Sequence, residues 1–241
     1  MRQKNKITLL FIIIFLFICN NGIAQNVKEI LQKTQQHYLD VNFNVQVEYQ
    51  LFKGVSDNKV LESYIGFIIK DKDNFYTKIL NTETIFTKEF YLKLNHNEKA
   101  LEYILSPQKD RVKSPNLYNI SAILNLFEKP KMNETDQYWH IELITKEYSS
   151  FPISKMELDI DKKDYNVLKQ VLIYSALTDF SEKNNSKPDY SLPRLVINYK
   201  EYKKNKKSDL KIFDINRYFL STDKNNVVFI APLNKYEINA F

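Results

Sequence analysis

From Phe43 the chain alternates. Phe43, Val45, Val47, Tyr49 and Leu51 fall on one side, and Asn44, Gln46, Glu48 and Gln50 on the other. A period of two marks a half-buried strand, because successive side chains of an extended chain point to opposite faces. Just before it the period changes. Val27, Ile30, Leu31, Thr34 and Tyr38 recur at three- and four-residue spacing, which predicts an amphipathic helix over 27–39. Asn26 followed by Glu29 supplies a capping-box start. Gly54 and Asp57-Asn58 mark a turn, and a second strand is predicted over 59–70. Gly66 within that strand predicts a bulge or a close backbone approach. Further strands are predicted near 75–80, 83–87, 89–95 and 99–105. Beyond the middle they resume near 138–146, 153–161, 167–177, 194–203, 212–220 and 226–231, with a short last one at 236–238. Between these groups, Ser114-Pro115 and the spacing of Ile120, Ile123, Leu124 and Phe127 predict a short helix over 116–128, ended by Pro130. Asp161 to Asp164 reads as a hairpin turn and Ser181 to Asp189 as a polar loop.

Strands that follow one another through short turns pair antiparallel. The expected fold class is mainly β (α+β): a curved antiparallel sheet or half-open barrel of about 11–12 strands, with an N-terminal helix and a short mid-chain helix. Some strands are apolar on both faces, notably Ile65 to Ile69 and Val171 to Leu177. A sheet with one face in water should be polar on that face. Both faces here need cover, from protein or from a ligand. A filled core and an apolar ligand on the concave face are the two solutions. The candidate lining is Val47, Tyr49, Ile65, Phe67, Leu143 and Tyr174.

The N-terminus adds a compartment. Arg2, Lys4 and Lys6 precede an apolar run from Ile7 to Cys19. That run has the length of a signal-peptide core, roughly 7–15 residues, and falls short of the roughly 20 that span a membrane. Gly22-Ile23-Ala24 supplies the small residues of a cleavage site, so residues 1–24 are expected to be a signal peptide and 25–241 a single domain. Bulky Ile18 before Cys19 argues against lipoprotein processing there. Loss of three positive and no negative charges takes the net charge from +6 to +3, too mild for a dedicated nucleic-acid binder. The densest basic stretch, Lys200 to Lys207, reads as a solvated hairpin loop. Cys19 is the only cysteine and leaves with the signal peptide, so no disulfide holds the exported chain.

Candidate chemistry is sparse. Gly54 and Gly66 are the only glycines after residue 24, which excludes phosphate-cradling loops and nucleophile elbows. His37, His96 and His140 form no metal motif. Asp159, Asp161 and Asp164 lack the glycine and glutamate of a calcium loop, since Asp164 and Gln170 occupy those positions. Glu62, Glu142 and Glu157 are scattered strand residues expected to face solvent. No catalytic residue, cofactor or metal is assigned.

Three stretches carry a family resemblance. They are Asn26–Tyr38 leading into Phe43-Asn44-Val45-Gln46-Val47; Lys59 to Phe67 with its mid-strand glycine; and Trp139–Thr145, Ile153–Asp161 and Leu168–Tyr174 around an Asp-bearing turn. The order of elements resembles the periplasmic lipoprotein-carrier (LolA-like) superfamily, and the residue usage suits exported proteins of Bacteroidetes. The resemblance covers most of the chain as pattern and rests on no single motif. It implies a half-open barrel whose helix closes an apolar cavity for acyl chains, and no enzymatic activity. The carrier proper has Arg-Pro before the third strand, where the arginine helps the cavity open and close. Here the matching Lys70-Asp71-Lys72-Asp73-Asn74-Phe75-Tyr76 has neither. The expected function is a non-enzymatic exported carrier or sensor of a lipid, acyl chain or other apolar ligand. The alternative is an envelope protein–protein interaction module with a filled core. The expected partners are a lipid or an acylated protein, with no nucleic acid and at most peripheral envelope contact. The expected state is a periplasmic monomer, with release beyond the outer membrane left open.

Overall fold

The computed structural model describes residues 26–107, 125–147, 150–181, 187–223 and 226–239. The expected signal peptide, 1–24, and residues 116–124 of the expected mid-chain helix lie outside them. Residues 26–40 are helical (α1). Strands follow as β1 (Phe43–Lys53), β2 (Val60–Asp71), β3 (Asn74–Ile79), β4 (Thr82–Phe86), β5 (Phe90–Asn95) and β6 (Ala100–Leu105). Next come β7 (Phe127–Glu134), β8 (Tyr138–Thr145), β9 (Ile153–Asp161) and β10 (Val167–Tyr174). The short β11 (Thr178–Asp179) and β12 (Tyr190–Ser191) precede β13 (Pro193–Lys203). A short helix α2 (Lys207–Leu210) and 3-10 turns at Lys211–Phe213 and Ile215–Arg217 lead to β14 (Phe219–Asp223) and β15 (Asn226–Phe229). A last 3-10 turn, Leu233–Lys235, precedes β16 (Glu237–Ile238).

Three expectations are corrected. Phe127 and Glu128 belong to β7, which the sequence pattern hid behind Lys129, Pro130 and Lys131. Residues 211–217 are helical turns, and the strand expected near 212–220 begins only at Phe219. The lysine-rich stretch is no hairpin loop. Lys200 and Lys203 lie in β13, where Lys200 pairs with Glu48 at 2.8 Å, and Lys207 opens α2.

The described residues divide into two compact units. One holds residues up to His37, Phe52–Lys59 and the described part of Tyr118–Val196; the other holds Tyr38–Leu51, the described part of Val60–Leu117 and that of Ile197–Phe241. We call these the first and second units. Strands β1 and β13 contribute to both. The hydrogen-bonded order is β13-β10-β9-β8-β7 in the first and β16-β6-β5-β4-β3-β2-β1-β13 in the second. Neither order closes into a barrel. The described pairs are antiparallel except β16 with β6, and the fold is mainly β.

In the second unit the register builds rows, because directly opposed residues share a face. Ile69, Tyr76, Ile85, Leu92 and Tyr103 form one row across β2 to β6. Phe67, Lys78, Glu83, Leu94 and Leu101 form the next. Ile69, Tyr76, Ile85, Leu92, Leu94 and Leu101 are buried with Phe90 against Tyr218, Phe219, Phe229 and Leu233 of the C-terminal segment, and Tyr103 packs half-buried against them. Phe90 lies 5.6 Å from the rings of both Tyr218 and Phe219, and Phe219 lies 4.9 Å from Phe229. The Tyr218 hydroxyl donates to the Ile212 carbonyl at 2.8 Å.

In the first unit Ile141, Leu143, Leu158 and Ile160 are buried on one face of β8 and β9. Val27, Ile30, Leu31 and Thr34 of α1 are buried at the predicted helical spacing. The helix is fastened at the β9–β10 turn. His37 Nε2 lies 2.9 Å from Asn166 Oδ1, and the Lys33 ammonium lies 5.9 Å from the Tyr165 ring centre. Tyr165 in turn lies 5.4 Å from Trp139. A second cluster joins Phe52, Val171, Ile173 and Val196, with the Arg194 guanidinium 4.4 Å from the Phe52 ring centre. Pro130 fits β7 because β7 ends the strand order, where a missing donor costs no ladder bond.

Burial pushes the Tyr218 hydroxyl up to about 12, and burial raises Tyr76 as well. The folded state therefore holds these protons more tightly than the unfolded chain, whose tyrosines titrate near 10. Stability present below about pH 10 is lost as pH rises through about 12. Tyr218→Phe removes one titrating group and one hydrogen bond, worth about 0.5–1.5 kcal/mol. In urea unfolding the variant is expected to be weaker at pH 8 and to lose stability less steeply between pH 10 and 12. Parallel pH profiles would contradict this.

Candidate functional site

The candidate site centres on β2 in the second unit, where apolar side chains stand on both faces. Gly66 decides the geometry. A Cβ there would lie 2.8 Å from the Lys78 carbonyl oxygen and 3.0 Å from a ring carbon of Tyr49. The Tyr49 ring therefore rests against the bare backbone at Gly66, the close approach its sequence position suggested. Burial raises the Tyr49 hydroxyl above its ordinary value. Val47, two residues away on the same side of β1, is fully buried. Ile65 and Phe67 flank Gly66 and so point to the opposite face.

That opposite face is uncovered among the described residues. Leu61 is 39% exposed, Ile65 46% and Phe67 41%. Ile69, next on the same side, is buried under the C-terminal segment. The stripe thus begins in solvent and runs into the aromatic cluster. Phe67 stands opposite Lys78, whose ammonium pairs with Glu83 at 2.9 Å.

The six candidate lining residues therefore do not meet on one face. Val47 and Tyr49 close one side of the second unit, and Ile65 and Phe67 open onto the other. Leu143, buried, and Tyr174, half-buried at the end of β10, belong to the first unit. Of the six, Ile65 and Phe67 offer the most surface.

Lys70 joins β2 to the end of α1. It is buried on the Gly66 side of β2, and its Nζ donates to the carbonyls of Leu39 at 3.1 Å and Val41 at 2.9 Å. These carbonyls end α1, where a cation meets the negative end of the helix dipole. Burial lowers the Lys70 pKa. Lys72 N donates to Asn42 Oδ1 at 2.7 Å just beyond. The end of β2 thus sends a cation to the end of the helix. The only sequence signal was a lysine at an otherwise apolar strand position.

The polar groups carry little chemistry. Glu142 and Glu157 oppose each other across β8 and β9, and Lys155 reaches both at 2.8 Å. Hydrogen bonding to Lys155 holds the Glu142 carboxyl below its ordinary value, the reverse of what a general acid needs. His140 Nδ1 lies 2.6 Å from Asp159, and His96 Nδ1 lies 2.8 Å from the Tyr236 hydroxyl. No described group of three or more His, Cys, Asp or Glu could hold a metal. No described helix is long and apolar enough to cross a membrane.

No protein-family model matches the chain, and no curated protein matches it. Among solved structures, an uncharacterised conserved protein from Thermus thermophilus aligns at a TM-score of 0.47 and 14% identity, over 90% of this chain and 99% of that one. A LolA superfamily protein from Nitrosomonas europaea aligns at 0.32 and 13%, over 78% and 97%. The Mycobacterium tuberculosis lipoprotein LppX aligns at 0.40 and 5%, over 76% and 97%. These likenesses are too distant to bring a ligand or a residue's role to this chain.

Two substitutions test the geometry. Gly66→Ala forces a methyl group onto a backbone oxygen and an aromatic ring, and is expected to cost about 1–3 kcal/mol in urea unfolding. Lys70→Met strands two carbonyls and is expected to cost about 1–3 kcal/mol, with faster amide exchange near residues 38–41. Wild-type stability in either variant would refute the corresponding contact.

Proposed function

We propose that the protein is an exported, non-enzymatic carrier or sensor that binds a lipid, an acyl chain or another apolar ligand. The observation that carries this reading is the solvent-facing stripe of Leu61, Ile65 and Phe67 on one side of one strand. Covering apolar surface gains about 25 cal/mol per Å². An acyl chain laid along β2 would cover all three side chains and meet the buried cluster at Ile69. The sequence resemblance to lipoprotein carriers supports the same ligand class, and the expected signal peptide supports action in the periplasm. A free lipid and the acyl group of a lipoprotein share the chemistry this stripe would recognise.

One observation favours the alternative, a protein–protein module. The row from Ile69 to Leu92 is filled by Tyr218, Phe219, Phe229 and Leu233 of the chain itself, so the described part of the second unit shows a packed core beside an apolar patch.

The test is titration of the mature protein with a fluorescent fatty acid, alongside native mass spectrometry of protein from its own envelope. Saturable binding is expected, weakened at least about tenfold in Ile65→Asp and Phe67→Asp, since losing burial of one large side chain is worth roughly 1.5–3 kcal/mol. Because both residues are exposed, the variants should keep the wild-type circular dichroism. Absence of bound lipid and of probe binding would leave the protein-binding reading. Undiminished binding in both variants would move the site off β2.

A further inference from the structure

We propose that the overhanging end of β2, Val60–Tyr64, receives an extended segment of a partner protein as an added strand. β2 is neighboured by β1 and β3, and β3 pairs only with Gly66–Asp71. Beyond Ile79 the chain turns back at Leu80, which has φ 53°. Among the described residues, one side of Val60–Tyr64 therefore carries unpaired main chain. Val60 to Ser63 are exposed and Tyr64 is half-buried.

Two other described edges of the large sheet are guarded. β7 carries Lys129, Pro130 and Lys131, a register shift and a left-handed Lys129. β6 is partly covered by β16 through Glu237 opposite Ala100 and Ile238 opposite Leu101. Lysine, proline, bulges and cover are the usual devices against unwanted pairing. Val60-Leu61-Glu62-Ser63-Tyr64 has no lysine and no proline, carries Glu62 as its single edge charge, and has nothing described covering it. It combines the strand-favouring Val60 and Tyr64 with an open ladder, which is what strand addition uses.

The residues also specify the occupant. Glu62 is the only charge of the overhang, and the Tyr64 hydroxyl donates to its carboxylate on the same side. A second copy paired antiparallel about the centre of the overhang would set Glu62 against Glu62, which is unfavourable. A foreign strand with Lys or Arg opposite Glu62 and apolar residues at the alternate positions, over Leu61, fits both sides. This inference does not rest on the carrier reading, and the acyl probe and the peptide below score the two separately.

The probe is a fluorescent, end-blocked peptide, Thr-Val-Lys-Val-Thr-Val, titrated into the mature protein. Controls carry Glu in place of its Lys, or Pro in place of its central Val. Saturable binding is expected, roughly two- to fivefold weaker for the Glu peptide, the size of a cross-strand charge pair, and abolished for the Pro peptide. Glu62→Lys, at an exposed position, should reverse the preference between the Lys and Glu peptides. Amide exchange at alternate residues of Leu61–Tyr64 should be fast in the free protein and slowed by the peptide. Amides already protected in the free protein would mean the chain fills its own edge, and the proposal fails. It fails equally if the Pro peptide binds as well, or if no peptide saturates. Self-association that the neutral Glu62→Gln strengthens, by removing the like-charge opposition, would assign the edge to a second copy instead.

Discussion

The second unit depends on one apolar row, in which Ile69, Tyr76, Ile85 and Leu92 stand side by side across β2 to β5. Such a row cannot be left in water, and no covalent link is available to hold the chain if it were. The cover comes from residues more than a hundred positions later in the chain. Tyr218, Phe219, Phe229 and Leu233 bring large rings to the row, and the Tyr218 hydroxyl finds the Ile212 carbonyl so that burying it leaves no unmet donor. The irregular stretch from Lys207 to Arg217 follows from this demand. Its short helical turns carry the chain from the end of β13 to the place where the rings are needed.

Where the cover stops, the candidate site begins. Ile69 and Phe67 lie on the same side of β2 in adjacent rows, yet one is buried and the other is 41% exposed. The boundary reflects the reach of the C-terminal segment, not a change in the chemistry of the strand. On the opposite side, Tyr49 lies against Gly66 and Lys70 holds the end of α1, so that face is closed by specific contacts. The asymmetry of β2, closed on one side and open on the other, directs attention to Leu61, Ile65 and Phe67.

Much of this was legible in the residues, and the failures have physical causes. The alternation of β1 and the spacing of α1 were clear because each element buries one face. Gly66 announced a close approach because a glycine in a strand otherwise weakens it. β7 was hidden because Lys129, Pro130 and Lys131 resemble a loop, and a strand at the end of an order tolerates all three. The candidate lining was half legible. A nearly continuous apolar run says that both faces of β2 need cover, but period-two logic alone separates Ile65 and Phe67 from Val47 and Tyr49 only once Tyr49 is seen against Gly66. Cover from residues near 220 left no local signal at all. Among turns, scarcity of glycine had a visible consequence: Lys72, Leu80 and Lys99 adopt left-handed conformations that glycine usually takes.

The first unit shows how this chain treats a strand face that it leaves polar. Opposite the buried Ile141 and Leu158, positions His140, Glu142, Lys155, Glu157 and Asp159 form a ladder of paired polar and charged side chains. Even the unfavourable opposition of Glu142 and Glu157 is resolved by Lys155 between them. A polar solution to an outward strand face is therefore within this sequence's means. On β2 no such charge ladder is used, and the outward positions hold Leu61, Ile65 and Phe67, with Ser63 between the first two. If these residues served only the strand's own stability, threonine or a charge pair would serve as well without the solvation cost and the risk of aggregation. These exposed apolar side chains and the open end of the ladder thus lie on the same strand, beside a face that the C-terminal segment covers only from Ile69 onward.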